Sequence, residues 1–184
     1  EDVTYARTAE DPLPIRAIAT VIKHNTSGFV SAASKDINSP ADFEGKVYAG
    51  WQSPSEEAVI RACRSRAGAD PGKITIVGDS GDGFAALEGD VDIKWFFEGW
   101  DNVKAEMAGF ELNYMPLNEY DERLDYYTPV LIASEDVIEN DPELVRSFLR
   151  AVKKGYQFAI DNPDEYAEVL YEYVPDYGLE FQTN

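Results

Sequence analysis

Among 184 residues there is one cysteine and one histidine, so the chain is poor in the two side chains that serve most often in catalysis and metal binding. Cys63 has no second cysteine to meet, which excludes an intrachain disulfide and leaves the redox compartment open. It sits in an apolar helical stretch and reads as a buried, inert thiol. Any Ser-His-Asp site must use His24, and metal sites built on two or three histidines are excluded. Basic residues are also few: 16 Lys and Arg face 35 Asp and Glu, giving a net charge of −19. That excess repels phosphate backbones and anionic membranes, so nucleic acid is not an expected partner. The simplest reading of the acidity is a solvated surface. Adaptation to high salt is the sharper one, and the even split of eight Lys and eight Arg gives it little support. No apolar run approaches the roughly 18 residues that a membrane span requires. No strand leads into a Gly-x-Gly-x-x-Gly or Walker run, so no cofactor is expected, and no metal. No signal peptide is visible and the chain begins at Glu1; an export segment has been removed, or N-terminal sequence is missing.

What is present is a globular composition, 44% hydrophobic and 28% charged, enough for one large domain or two small ones. Short β-rich runs alternate with amphipathic stretches. Strands are expected at 15–22, 28–33, 46–51, 73–77, 91–97, 111–117 and 126–132, with 28–33 as the antiparallel neighbour of 15–22. Ser39-Pro40 opens a short helix, and Ser53-Pro54-Ser55-Glu56-Glu57 has the hydroxyl cap, early proline and first-turn acids of a longer one. Short helices are also expected over 82–88 and 99–107. The alternation argues a parallel-dominated α/β sheet. Beyond residue 133 the chain turns helical: Asp141-Pro142-Glu143 starts a long helix with Leu144, Val145, Phe148, Leu149 and Val152 on one face. Asn162-Pro163 interrupts it and Asp164-Glu165 restarts it.

Several segments together resemble one family. Ile37-Asn38-Ser39-Pro40-Ala41-Asp42-Phe43-Glu44-Gly45-Lys46, the Gly-Trp-Gln-Ser-Pro-Ser-Glu stretch at 50–56, and the run from Asn140 to Pro163 resemble the type 2 periplasmic-binding fold, in the branch of pyrimidine-precursor, sulfonate and nitrate receptors. Glu1 to Arg7, His24-Asn25-Thr26-Ser27-Gly28 and Asp125-Tyr126-Tyr127-Thr128-Pro129-Val130 are most similar to receptors for thiamine pyrimidine precursors of the formylaminopyrimidine kind. The resemblance implies an α/β fold of two lobes, each a mixed sheet flanked by helices. Lobe one would take 1–38 and 125–184, lobe two 45–115, with crossings near 35–47 and 113–130. Such receptors carry a further β-α-β-α-β stretch before the position matching Glu1, so lobe one is expected to be incomplete. Without it the strand at 15–22 has an uncovered edge and apolar face, and that lobe is not expected to be stable alone.

The same resemblance implies a small molecule buried in a cleft between the lobes. A flat aminopyrimidine needs aromatic faces, acceptors for its amino group and donors for its ring nitrogens. Trp95-Phe96-Phe97-Glu98-Gly99-Trp100 ends a strand and begins a helix, where α/β sheets bind ligands: Glu98 would accept from the amine, and Trp95 or Trp100 would stack. Ser53, Ser55 and Glu56, at a helix N-terminus, offer hydroxyls and free amides, though Ser53-x-x-Glu56 is equally a capping box. Asn25 lies in a polar turn that equally serves its own backbone. One of Tyr126 and Tyr127 should point inward by strand alternation. Tyr5 is a further candidate. Gly78 to Gly83 reads as turn chemistry rather than a calcium loop.

The expectation is therefore a non-enzymatic, extracytoplasmic receptor, periplasmic or a cell-surface lipoprotein. Its partners would be a pyrimidine ligand and an ABC permease, with membrane association only through a lipid anchor or permease docking. A sulfonate receptor is the alternative; it needs a cationic site, and Arg61, Arg64 and Arg66 fall on a helix face expected to be exposed and away from the cleft. Fungal pyrimidine synthases share the fold, but their resemblance implies a cysteine cluster that Cys63 alone does not supply.

Overall fold

The computed structural model describes residues 2–175 and 178. The strands are β1 (Ile15–Thr20), β2 (Ser27–Ala32), β3 (Val47–Gly50), β4 (Thr75–Gly78), β5 (Lys94–Phe97), β6 (Leu112–Pro116) and β7 (Val130–Ser134). The α-helices are α1 (Asp2–Thr8), α2 (Pro54–Arg66), α3 (Val103–Met107), α4 (Leu117–Tyr120), α5 (Glu135–Asn140), α6 (Pro142–Asp161) and α7 (Pro163–Tyr173). No helix among the described residues is long and apolar enough to cross a membrane. Two compact units result, residues 1–23 with 127–184, and residues 24–126. Residues 24–38 thus group with the second unit, where the sequence reading put them in lobe one.

The reason is β2. All six of its residues are buried, so it needs a neighbour on both sides. It pairs antiparallel with β5 on one side and β6 on the other. The expected pairing of this strand with residues 15–22 is therefore wrong. β1 instead pairs antiparallel with β7, with a bulge between Ala17 and Ala19. In the second unit β3 and β4 are parallel, and a parallel bridge from Tyr48 to Ile93 ties β3 to the start of β5. The ladders run β5-β2-β6 and β3-β4, and that bridge aligns β3 with β5, so the unit mixes parallel and antiparallel pairing rather than being parallel-dominated.

Phe29 is the centre of the core. Its ring meets Phe43, Tyr48 and Trp95 edge-on, at centroid distances of 5.4, 6.1 and 5.7 Å. Ile60 and Cys63 of α2 close the same cluster, and burial pushes the Cys63 thiol up to about 12, as an inert core cysteine requires. Val30, Leu87 and Phe96 form a second cluster on the other face of the sheet. Ser53 and Ser39 both cap as expected, their hydroxyls accepting from Glu56 N–H and Ala41 N–H. The short helices at 40–43 and 83–88 are 3₁₀ turns. One expectation for α2 fails: Arg64 is fully buried rather than exposed. Its guanidinium donates to the carbonyls of Pro40 (3.2 Å) and Asp70 (3.0 Å), fastening two loops to the helix. Arg61 and Arg66 are exposed, and they pair with Glu57 and Asp121.

In the first unit α6 and α7 break at Asn162-Pro163 as predicted. The apolar stripe of α6 stays largely in solvent, with Leu144, Phe148 and Ile160 all exposed.

A recess at the carboxyl ends of the second-unit strands

Strand directions alone gather the candidate residues. β3, β4 and β5 run the same way and β2 runs against β5, while β6 runs with β5. One end of the sheet therefore receives the segment before β2 and the segments after β3, β4, β5 and β6. These are His24–Thr26, Trp51–Ser53, Asp79–Asp82, Glu98–Asn102 and Leu117–Asn118. It is the carboxyl end of the parallel strands, where open α/β sheets hold ligands.

The turn after β3 is set by a buried carboxylate. Glu56 accepts from the Tyr48 hydroxyl (2.5 Å), Trp51 N–H (3.1 Å) and Gln52 N–H (2.7 Å). Half of the expected capping box is present, since Ser53 Oγ accepts from Glu56 N–H. The other half has moved outward by one and two residues, onto the amides of Gln52 and Trp51. Gln52 is held at a φ of 59°, in the left-handed region that a non-glycine residue occupies only when its surroundings impose it. Burial and the bond to Glu56 push the Tyr48 phenol far above its ordinary range. Gly50 admits no side chain, because a Cβ there would strike Glu56 and the Tyr48 ring.

Next to that turn lies a recess of about 430 Å³, lined by Trp51, Asp79, Lys94, Trp95, Asp101 and Lys104 among others. Small-molecule pockets fall in the range of roughly 300–1,000 Å³. Trp51 is exposed and meets the buried Trp95 ring at 5.9 Å, with 60° between the planes. Lys94 is buried and donates to Asp79 at 2.6 Å. Burial by itself raises the Asp79 carboxyl, but Lys94 and the Gly81 N–H outweigh it and hold the group below the usual range. Asp101 accepts from Phe97 N–H (3.2 Å), and burial pushes its carboxyl up. It belongs to a π-helical turn over Glu98–Asn102, the form in which helices often carry functional residues. The Lys104 ammonium stands 4.6 Å over the Trp100 ring. Three acids (Asp79, Asp82 and Asp101) and two lysines thus line the recess.

The predicted residues divide in this geometry. Trp95 lines the recess; Trp100 and Glu98 follow β5 in the π turn and are exposed, Glu98 N–H donating to Thr26 O at 2.9 Å. Ser53 and Ser55 share a hydroxyl contact of 3.1 Å at the start of α2. Glu56 is buried beneath the turn, with both oxygens engaged. Asn25 is also buried and engaged. Its amide donates to Leu124 O (2.8 Å) and accepts from Ser27 N–H (3.0 Å), and the neighbouring His24 ring pairs with Asp125 at 2.7 Å. Tyr126 packs half-buried against the Phe29 core. Tyr127 and Tyr5 are exposed residues of the first unit. Sequence reasoning missed Trp51, Asp79, Lys94 and Asp101. Trp51 was visible as a tryptophan beside a capped helix start, whereas the lysine–aspartate pair joins two strands 15 residues apart and left no local signal.

A two-unit α/β chain with mixed sheets and a recess at strand carboxyl ends has the periplasmic-binding-protein type of fold. Among solved structures it is similar to the periplasmic aliphatic sulphonate binding protein SsuA of Escherichia coli, with a TM-score of 0.71 at 15% identity, over 98% of this chain and 56% of that one. The family model described as NMT1/THI5 like matches residues 1–166, and the chain belongs to that family. A formylaminopyrimidine-binding protein of Halalkalibacterium halodurans is 27% identical over 176 residues, covering 92% of this chain and 51% of that protein. A 4-amino-5-hydroxymethyl-2-methylpyrimidine phosphate synthase of Legionella pneumophila is 25% identical over 164 residues, covering 88% and 52%. The chain spans about half the length of the curated relatives it matches.

Proposed function

We propose that this chain is the larger part of an extracytoplasmic receptor that captures an aminopyrimidine precursor of thiamine and delivers it to an ABC importer. The observation that carries this reading is the lining of the recess. Trp51 offers an exposed flat face with the enclosed indole of Trp95 beside it, and carboxylates outnumber ammonium groups, with Lys94 already neutralised by Asp79. Such a lining suits a flat ring bearing an amino group. It repels a sulfonate, whose permanent negative charge calls for surplus cations. Arg61, Arg64 and Arg66 offer none, each being engaged by partners of α2 and its loops. Kinship with the formylaminopyrimidine-binding protein supports both the ligand class and a role in capture and release.

In this reading Trp51 stacks on the ring and Trp95 borders it. Glu98, Trp100, Ser53 and Ser55 approach it from the neighbouring turns, while Glu56 and Asn25 fix those turns from beneath. Tyr126, of the same unit, is the remaining candidate. Calorimetric titration of the full chain with formylaminopyrimidine and with hydroxymethylpyrimidine should give binding that is micromolar or tighter, and taurine should give none. Heat from taurine alone would reverse the assignment. Glu98→Gln should weaken pyrimidine binding about tenfold, the scale of one bond to a charged acceptor. Turnover of pyridoxal phosphate with iron to a pyrimidine would instead make the chain a synthase.

A further inference from the structure

Trp95 is 6% exposed, and among the described residues no group reaches its Nε1–H. A buried donor left unpaired loses its bonds to water with nothing in return, so native structures seldom keep one without a use. The other polar groups around it are engaged: Lys94 with Asp79, Asp101 with Phe97 N–H, and Asp82 with the Ser80 hydroxyl at 2.6 Å. The indole that carries the orphan donor lines the recess, and its ring contacts Trp51 edge-on.

We propose that Trp95 selects the ligand through its indole N–H, donating to an unprotonated ring nitrogen of the bound heteroaromatic, rather than by stacking. Stacking falls to Trp51, whose ring is exposed beside it. The division of labour follows from burial: an indole already enclosed by Phe29 and Trp51 has little face left to offer, but its N–H remains unspent. The recess would then require two features of a ligand. One is a ring acceptor for Trp95, and the other is a donor, such as an exocyclic amine, for the surplus carboxylates. A flat amine without a ring nitrogen would leave Trp95 unpaired in a desolvated site, and sites built to bond one polar group reject analogues lacking it strongly. This inference rests on the reading of the recess as the pyrimidine site.

The test uses the full chain and two probes of the same outline: 4-amino-5-hydroxymethyl-2-methylpyrimidine, and 2-(hydroxymethyl)-5-methylaniline, in which carbon replaces both ring nitrogens. Wild type should prefer the pyrimidine by tenfold to a hundredfold, roughly the value of one buried bond. Trp95→Phe should lose most of that preference, chiefly by weakening the pyrimidine, and its free-state melting midpoint should hold, since the unpaired donor goes too. In wild type the Trp95 indole ¹H–¹⁵N resonance should move downfield with the pyrimidine and stay put with the aniline, a readout that does not depend on the variant folding. Equal weakening of both probes by Trp95→Phe, or an unmoved resonance when the pyrimidine is bound, would overturn the role of Trp95 and leave the pyrimidine site standing. Absence of pyrimidine binding to wild type would bring down the site itself.

Discussion

Phe29 stands on β2, buried along its whole length, and Phe148 on the apolar stripe of α6, one in each unit; Phe29 is 0% exposed and Phe148 49%. The contrast holds throughout. Among the described residues, every buried one except Ala167 belongs to the second unit. That unit has a sheet covered on both faces, a capped helix locked in by a buried arginine, and a turn held by a buried glutamate. In the first unit a two-stranded ladder and four helices keep their apolar faces partly in water. An amphipathic pattern thus specifies which face of a helix seeks cover, and says nothing of how much cover it finds. Opening free energies should differ accordingly, with slow amide exchange in β2, β3, β5 and α2 and fast exchange in β1 and β7.

Phe29→Ala should be the most damaging change, removing the ring at which Phe43, Tyr48 and Trp95 meet. A loss of about 3–5 kcal/mol is expected in urea unfolding followed by circular dichroism. A small effect would show that the second unit is no better packed than the first. Glu56→Gln comes next, at about 1–3 kcal/mol, because a neutral amide is a poorer acceptor for two backbone amides and a phenol. Pyrimidine affinity should fall with it, as Trp51 and Gln52 lose their anchor. Asp121 gives a smaller, pH-dependent effect. Arg123 first and Arg66 second hold its carboxyl well below the ordinary value of 3.8. The unfolded chain therefore binds the proton at higher pH than the folded one. The contribution of this group is complete above pH 4 and fades as the pH falls below it. Asp121→Asn should flatten the acid limb of the stability profile; an unchanged limb would remove the aspartate from the account. Phe148→Ser should change stability least, by under about 0.5 kcal/mol, as exposed positions do. A large loss there would mean that the α6 stripe is covered in solution, and the contrast between the units would collapse.

Local chemistry was the legible part of the sequence. Ser53-Pro54 and Asn162-Pro163 predicted where α2 begins and α6 ends, because caps and prolines act within a turn. Strand partners were not legible. Residues 15–22 and 28–33 look like a hairpin, but pairing is decided by which strands must be buried on both faces, a property of the finished sheet. The site behaved likewise. The aromatic–acid run 95–100 was legible as a strand end leading into a helical turn, whereas nothing in Ser53-x-x-Glu56 foretold that Glu56 is buried with both oxygens engaged. Its burial depends on Gly50 and Tyr48, brought under it by β3. Arg64 failed for a similar reason: helical spacing gives no hint that two loop carbonyls wait for it.

The three tryptophans of the chain are Trp51, Trp95 and Trp100, and all of them stand at the one end of the second-unit sheet. The molecule therefore carries a built-in optical probe with no background. Indole emission originates in or beside the recess, in three distinct settings: a solvent-facing ring, an enclosed ring and, in the adjoining π turn, a ring beneath an ammonium group. Quenching and spectral shift both read out this place, so ligand capture can be timed in the unlabelled wild-type chain.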